Sequence, residues 1–163
     1  MIVGAESGPV APPGPAGGPD VTVAPTDDLD AVRALGVAAG LDESEREDGE
    51  VVLAWAARAA DGAMIGAIVL ERYDRLDVVN WMSVDAAYRG RGIATRLLAT
   101  LEREASARGV RRLWATARTP GFFLANGFGT ADEGPEAAYL VGDCRSCPQY
   151  HRDCWPQPVM KDL

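Results

Sequence analysis

Ser83-Val84-Asp85-Ala86-Ala87-Tyr88-Arg89-Gly90-Arg91-Gly92-Ile93-Ala94 is the stretch whose reading decides the fold. Before it, Val78 to Val84 reads as a strand. After it, Ile93, Leu97, Leu98, Leu101 and Ala105 recur at helical spacing, and Gly109 is placed to end the helix at its C′ position. The turn between them carries Gly90 and Gly92, which admit positive φ and let successive backbone N–H groups point into one concavity. A helix N-terminus adds unpaired donors and partial positive charge. Strand, Gly-rich turn and helix together read as a cradle for a diphosphate. Arg89 and Arg91 are candidates for charge-assisted bonds to those phosphates or to a neighbouring one.

Outward from this point the chain alternates period two with period 3.6. Upstream, Val51 to Arg58 and Met64 to Tyr73 are strand-like runs joined by Ala60-Asp61-Gly62, and Asp74-Arg75-Leu76-Asp77 turns into the strand that ends at Val84. These three runs predict an antiparallel meander. Val21-Thr22-Val23 predicts a first strand, with Thr26 as N-cap of a helix reaching Ala39 through Leu29, Val32, Leu35 and Val37. Downstream, Val110 to Ala117 predicts a strand. Pro120 opens a short helix that Gly127 closes, Phe128 begins another strand, and Tyr139-Leu140-Val141 is the candidate last one. The order predicts a mixed α/β domain over residues 21–142. The Pro/Gly/Ala-rich residues 1–20 predict a disordered tail, Asp42 to Glu50 a solvated acidic loop or short helix, and residues 143–163 a Cys-rich extension beyond the last strand.

Composition narrows the function classes. At 163 residues the chain suits one domain, and a net charge of −8 disfavours binding to phosphate backbones, so no nucleic-acid partner is expected. No apolar run of about 18 residues predicts a membrane span. The N-terminal residues lack the basic start and apolar stretch of a secretory signal, which predicts a cytoplasmic protein with reduced thiols.

The motif resembles the acetyl-CoA signature of the GCN5-related N-acetyltransferases, Arg/Gln-x-x-Gly-x-Gly/Ala, matched by Arg89, Gly92 and Ala94. The surroundings match in order as well: Val84-Asp85 ahead of it, the helix from Ile93, the strand through Trp114, and Phe122-Phe123-Leu124-Ala125-Asn126-Gly127-Phe128. The resemblance implies a central twisted mixed sheet of about six to seven strands flanked by helices. It implies acetyl-CoA as co-substrate, held by Met82, Val84, Arg89, Gly90, Arg91, Gly92, Ile93, Ala94, Thr95 and Phe123. Backbone N–H groups near Met82 to Val84 would then polarise the thioester carbonyl, making Ser83 and Val84 the catalytic positions. An amine acceptor would attack directly in a ternary complex. The second aromatic of the pair is often a proton-donating Tyr in this family, and here it is Phe123. Water or another group would take over, or the thiolate would leave unprotonated, as a pKa of about 8.5 permits. Glu71, Asp77 and Asp85 are the nearby carboxylates to weigh as base, and each reads as a solvated turn residue. Thr116-Ala117-Arg118-Thr119 is similar to a segment of N-acetylglutamate synthases in which the Arg helps hold the substrate carboxylate. That implies Arg118 and Thr119 as substrate-binding residues and an amino acid or similar small amine as acceptor. A protein or peptide acceptor, and a non-catalytic CoA sensor, are the alternatives. A monomer or homodimer is expected.

Cys144, Cys147, His151 and Cys154 gather every Cys and the only His of the chain. They offer four ligands of the type zinc takes, or a set of reduced thiols that pack or cover the pocket. The tight spacing leaves both open, and no metal is assigned to the site. Trp155, Pro156 and Met160 are expected to anchor the segment.

Overall fold

The computed structural model describes residues 20–41 and 49–163. Nearly all of the expected N-terminal tail and most of the acidic stretch from Asp42 fall outside the described residues. In chain order the elements are β1 (Thr22–Pro25), α1 (Leu29–Ala38), β2 (Glu50–Arg58), β3 (Met64–Tyr73), β4 (Leu76–Val84), α2 (Ile93–Ala107), β5 (Arg112–Ala117), α3 (Pro120–Ala125), β6 (Gly129–Thr130), α4 (Pro135–Gly142) and β7 (Gln157–Asp162). The seven strands make one mixed sheet ordered β1-β2-β3-β4-β5-β7-β6, as the α/β reading expects. Strands β1 to β4 are antiparallel, β4 meets β5 in parallel, and β7 runs antiparallel to both β5 and β6.

Alternation along the strands explains the layers. Ile68 and Leu70 of β3 and Leu113 and Ala115 of β5 share a core with Ile93, Leu97, Leu98 and Leu101 of α2 and with Phe123 of α3. On the other face Ala67 and Val69 meet Val32 of α1, and Tyr73, Val78 and Trp114 meet Leu140 of α4. The whole apolar stripe of α2 is at most 1% exposed, and each such residue contributes about 1.5–3 kcal/mol by leaving water. Gly66 sets the helix close to the sheet, since a Cβ there would stand 3.0 Å from Ile93 and 3.1 Å from Leu97.

Four expectations are corrected. Helix α1 is capped by Asp28, whose side chain accepts from the Ala31 N–H at 3.1 Å, and not by Thr26. The Thr26 N–H still bonds the Ala54 carbonyl at 3.0 Å, prolonging the β1–β2 ladder and delaying the helix. Tyr139-Leu140-Val141 lies in helix α4, where Ala137 and Leu140 are buried at i, i+3 spacing and Pro135 opens the first turn. The sheet's last strand is β7, which inserts between β5 and β6 with a register from Arg112↔Asp162 to Ala117↔Gln157. Residues 143–163, expected to follow the sheet, therefore supply part of it. Trp155 is 62% exposed and anchors nothing, while Val159 of β7 is fully buried.

Candidate functional site

Strands β4 and β5 share a single register pair, Val78↔Trp114, although β4 continues to Val84 and β5 to Ala117. Beyond that pair the two strands part, leaving backbone donors and acceptors of β4 facing a gap in the middle of the sheet. The opposite edge of β4 is irregular in the same place. Its partners on β3 are Val69↔Asn80 and then Ala67↔Ser83, so three steps on β4 answer two on β3. This is a β-bulge, and Trp81 within it adopts φ 50°, a left-handed conformation that costs a non-glycine residue about 1–2 kcal/mol. The bulge keeps Val79, Met82 and Val84 in the α2 core, while Trp81 joins the cluster on the other face.

The open end of the gap meets the start of α2. Gly90 and Gly92 have φ of 74° and 73°, and Gly92 is the N-cap of α2 with no side chain capping it. The fifteen residues of this helix thus begin with no capping side chain at the N-cap to take their first donors. Ile93 and Ala94 are buried and Thr95 is exposed. Arg89 donates from Nε to the Val84 carbonyl at 3.3 Å, tying the turn to the end of β4. Arg91 donates to the Ala87 carbonyl at 3.3 Å and lies 5.0 Å over the Tyr88 ring. Asp85 caps the short 3-10 turn through the Ala87 N–H at 2.8 Å. Met82 and Val84 share a core with Ile93 and Ala94, and the Arg89 bond ties the turn to Val84. The left-handed glycines and the side-chain-free helix start suit a diphosphate.

Phe123 is placed differently from a cleft-lining residue. It is fully buried, edge-on to Phe122 at 5.4 Å and to Phe128 at 5.0 Å between ring centroids, and the partly exposed ring is Phe122.

On the α1/α4 face the polar groups were only partly visible in the sequence. Arg118, just past β5, donates from Nη1 to the Gly40 carbonyl after α1, and Thr119 precedes α3 as its N-cap residue. Glu71 is no solvated turn residue: it is 2% exposed on β3, and its Oε2 accepts from the Tyr73 hydroxyl at 2.5 Å and from Asn80 Nδ2 at 2.6 Å. Asp77 pairs with Arg72 at 2.8 Å. Three neighbouring β4 residues also hold buried polar atoms without a partner among the described residues: Asn80 Oδ1, Trp81 Nε1 and Ser83 Oγ. Buried orphans of this kind are scarce and call for a cause. Here they cluster where β4 leaves β5.

The cysteine segment packs beside this face. Cys144 and Cys154 are buried with Cys147 and Tyr150 against them, and no disulfide joins the three cysteines. Burial raises the Cys144 and Cys154 thiols above their usual range, and the nearby Arg118 cation opposes the rise at Cys154. His151 stacks on Tyr150 at 3.9 Å. Among the described residues no three His, Cys, Asp or Glu side chains converge as a metal site needs. Among the described residues no helix is long and apolar enough to cross a membrane.

Comparison with known proteins agrees with this geometry. No curated relative matches the chain. Among solved structures, an N-acetylglutamate synthase from Neisseria gonorrhoeae complexed with coenzyme A and N-acetyl-glutamate superposes with a TM-score of 0.64 at 22% identity. The match covers 88% of this chain but only 35% of that one. A Mycobacterium tuberculosis protein solved in complex with CoA matches at TM-score 0.62 and 21% identity, covering 89% and 99% of the two chains. A GNAT-family acetyltransferase from Staphylococcus aureus gives 0.63 at 14%, covering 88% and 99%. These likenesses speak for the fold. Residues 26–128, more than half of the chain, match the acetyltransferase (GNAT) family, and the chain belongs to that family.

Proposed function

We propose that the protein transfers an acetyl group from acetyl-CoA to the primary amine of an amino acid or a similar small molecule, by direct attack within a ternary complex. The observation that carries this reading is the parting of β4 from β5 directly above an uncapped helix start with two left-handed glycines. The N–H groups of residues 90–95 hold the diphosphate, with Arg89 and Arg91 keeping the turn in shape. The gap admits an extended pantetheine arm beside β4, and the backbone N–H groups of Met82 to Val84 polarise the carbonyl to be attacked. Acetyl-CoA supplies the activated acetyl group. The chain's own part is to bind, orient and keep water from the thioester.

Arg118, with Thr119, takes the acceptor's carboxylate. Its Nη1 bond to Gly40 leaves further guanidinium donors, and a planar fork suits a carboxylate. Phe123 has no proton to give, so the departing thiolate is protonated by the attacking nitrogen or by water.

Two measurements test this. Calorimetry with CoA should give saturable binding, and a thiol-release assay with a panel of L-amino acids should give turnover on at least one carboxylate-bearing amine. Absence of CoA binding would refute the reading at its root. Binding without turnover on amino acids, amines or peptides would favour the CoA sensor instead.

A further inference from the structure

Glu71 is a carboxylate almost fully removed from water with no Lys or Arg paired to it among the described residues. Such burial is costly unless the charge finds donors or a cation. Tyr73 and Asn80 both donate to Oε2, so Oε1 receives no bond among the described residues. Asn80 is itself half satisfied. Its Nδ2 serves Glu71 and lies 3.2 Å from the Tyr73 hydroxyl, while its Oδ1 is buried without a partner. The amide cannot usefully be turned round, because its oxygen would then face the carboxylate.

Two acceptors, one of them a carboxylate oxygen, therefore await donors on the same face of the sheet. The place is specific: Glu71 stands opposite Val78 in the β3–β4 register, and Val78 is the last β4 residue paired to β5 before the strands part. Asn80 lies two residues further along β4, beside the opening.

We propose that Glu71 receives the acceptor as its ammonium ion and takes its first proton, with Asn80 Oδ1 accepting a second N–H and Tyr73 and Asn80 Nδ2 positioning the carboxylate. This rests on the acetyl-transfer reading above and names the group that readies the nucleophile. The ammonium's N–H bond breaks toward Oε1, leaving the nitrogen with a lone pair. That pair forms the C–N bond to the acetyl carbon, and the C–S bond breaks with its electrons on sulfur. The second proton shed by the nitrogen ends on that sulfur, and Glu71 returns its own proton to solvent. At 2% exposure Glu71 is largely shielded from water before the acceptor arrives.

The test compares wild type with Glu71→Gln, Asn80→Ala and Tyr73→Phe by thermal melt, CoA calorimetry and acetylation at pH 7.5. Acceptors span α-amines, pKa about 7.7–8.0, and ε-amines of the lysine type, about 10.4. Loss of a proton-accepting group typically costs about 10²–10⁴-fold in rate. Glu71→Gln should therefore lower kcat/KM about a hundredfold or more for ε-amines and clearly less for α-amines, which are partly neutral already. CoA affinity should stay unchanged. Asn80→Ala should raise KM for both amine classes, and Tyr73→Phe should lower kcat modestly while keeping the same order of acceptors. A merely structural role would reduce both amine classes alike. Should Glu71→Gln fail to fold, the KM effect of Asn80→Ala carries the test. A folded Glu71→Gln protein that acetylates both classes at wild-type rates overturns the proposal and leaves acetyl transfer standing. A wild type that binds CoA but acetylates nothing in the panel overturns both.

Discussion

Replacing Gly90 by alanine isolates the backbone strain of the phosphate turn. A Cβ at this position would meet nothing within 4 Å, so no clash enters, and the whole effect comes from φ 74°. Holding a non-glycine residue there costs about 1–2 kcal/mol. A thermodynamic cycle fixes where that cost must surface. If the free protein keeps the turn, the cost lowers folding stability. Chains of about 150–250 residues lose about 2–4 °C of Tm per kcal/mol, so the apo melt should fall by about 2–8 °C. If the free turn relaxes to negative φ, stability is spared and CoA must restore the strained form. At about 1.4 kcal/mol per tenfold, Kd for CoA then rises about 5- to 30-fold.

Apo melting and CoA calorimetry measured together should therefore sum to about 1–2 kcal/mol, however the cost divides. Gly90→Asn supplies the control, because asparagine tolerates the left-handed region far better than alanine. It should recover much of the loss. An alanine variant that loses neither stability nor affinity would refute the claim that this turn's shape holds the coenzyme. So would an asparagine variant as impaired as alanine.

Other consequences are as direct. Arg118→Ala should lower kcat/KM about 10- to 100-fold for carboxylate-bearing acceptors while leaving CoA affinity intact, the scale of a lost charge-assisted pair, and a uniform loss on amines without a carboxylate would argue against that role. Phe123→Tyr should destabilise the chain by about 1–3 kcal/mol in urea, because its hydroxyl enters a closed three-ring cluster, and it should not raise turnover. A chain ended at residue 142 lacks the strand between β5 and β6 and should show no cooperative melt, whereas a folded truncate would contradict the sheet order. The Arg112 guanidinium bonded to Asp162 holds that carboxyl below its ordinary 3.8. A depressed acid stabilises the fold above its unfolded pKa and loses that contribution as pH falls through the folded value, so Asp162→Asn should flatten a small stability slope below about pH 4. Equal slopes would deny the effect.

Legibility followed periodicity. Met64–Tyr73 and the start of α2 at Ile93 were readable to the residue, because a short apolar run between turn signals and a clean 3.6 stripe each leave one solution. Strand β7 was not readable, and Pro158 is the reason: a proline argues against an interior strand. In an antiparallel ladder a residue's N–H and C=O point the same way. The Pro158 carbonyl accepts from the Ala131 N–H, so its missing donor faces the side where the β6 ladder has ended at Val159. No bond to β5 is lost. Tyr139-Leu140-Val141 misled in the opposite sense, since two residues of high β-propensity around a leucine are too few to outweigh a Pro-initiated turn and burial at helical spacing.

The site was legible in its glycines and hidden in its bulge. Read at period two, Val79-Asn80-Trp81-Met82-Ser83-Val84 would put Val79, Trp81 and Ser83 on one face and Asn80, Met82 and Val84 on the other, mixing polar and apolar on both. The extra residue at Trp81 resolves the conflict. Val79, Met82 and Val84 enter the α2 core, and Asn80 Oδ1, Trp81 Nε1 and Ser83 Oγ have no partner among the described residues, where β4 departs from β5. Left-handed strain at Trp81 is thus tied to a polar strip beside Glu71, and a flaw in alternation at the end of a strand is the sequence signal for it. The bulge and the orphaned atoms thus fall on the same four residues of β4, Asn80 to Ser83.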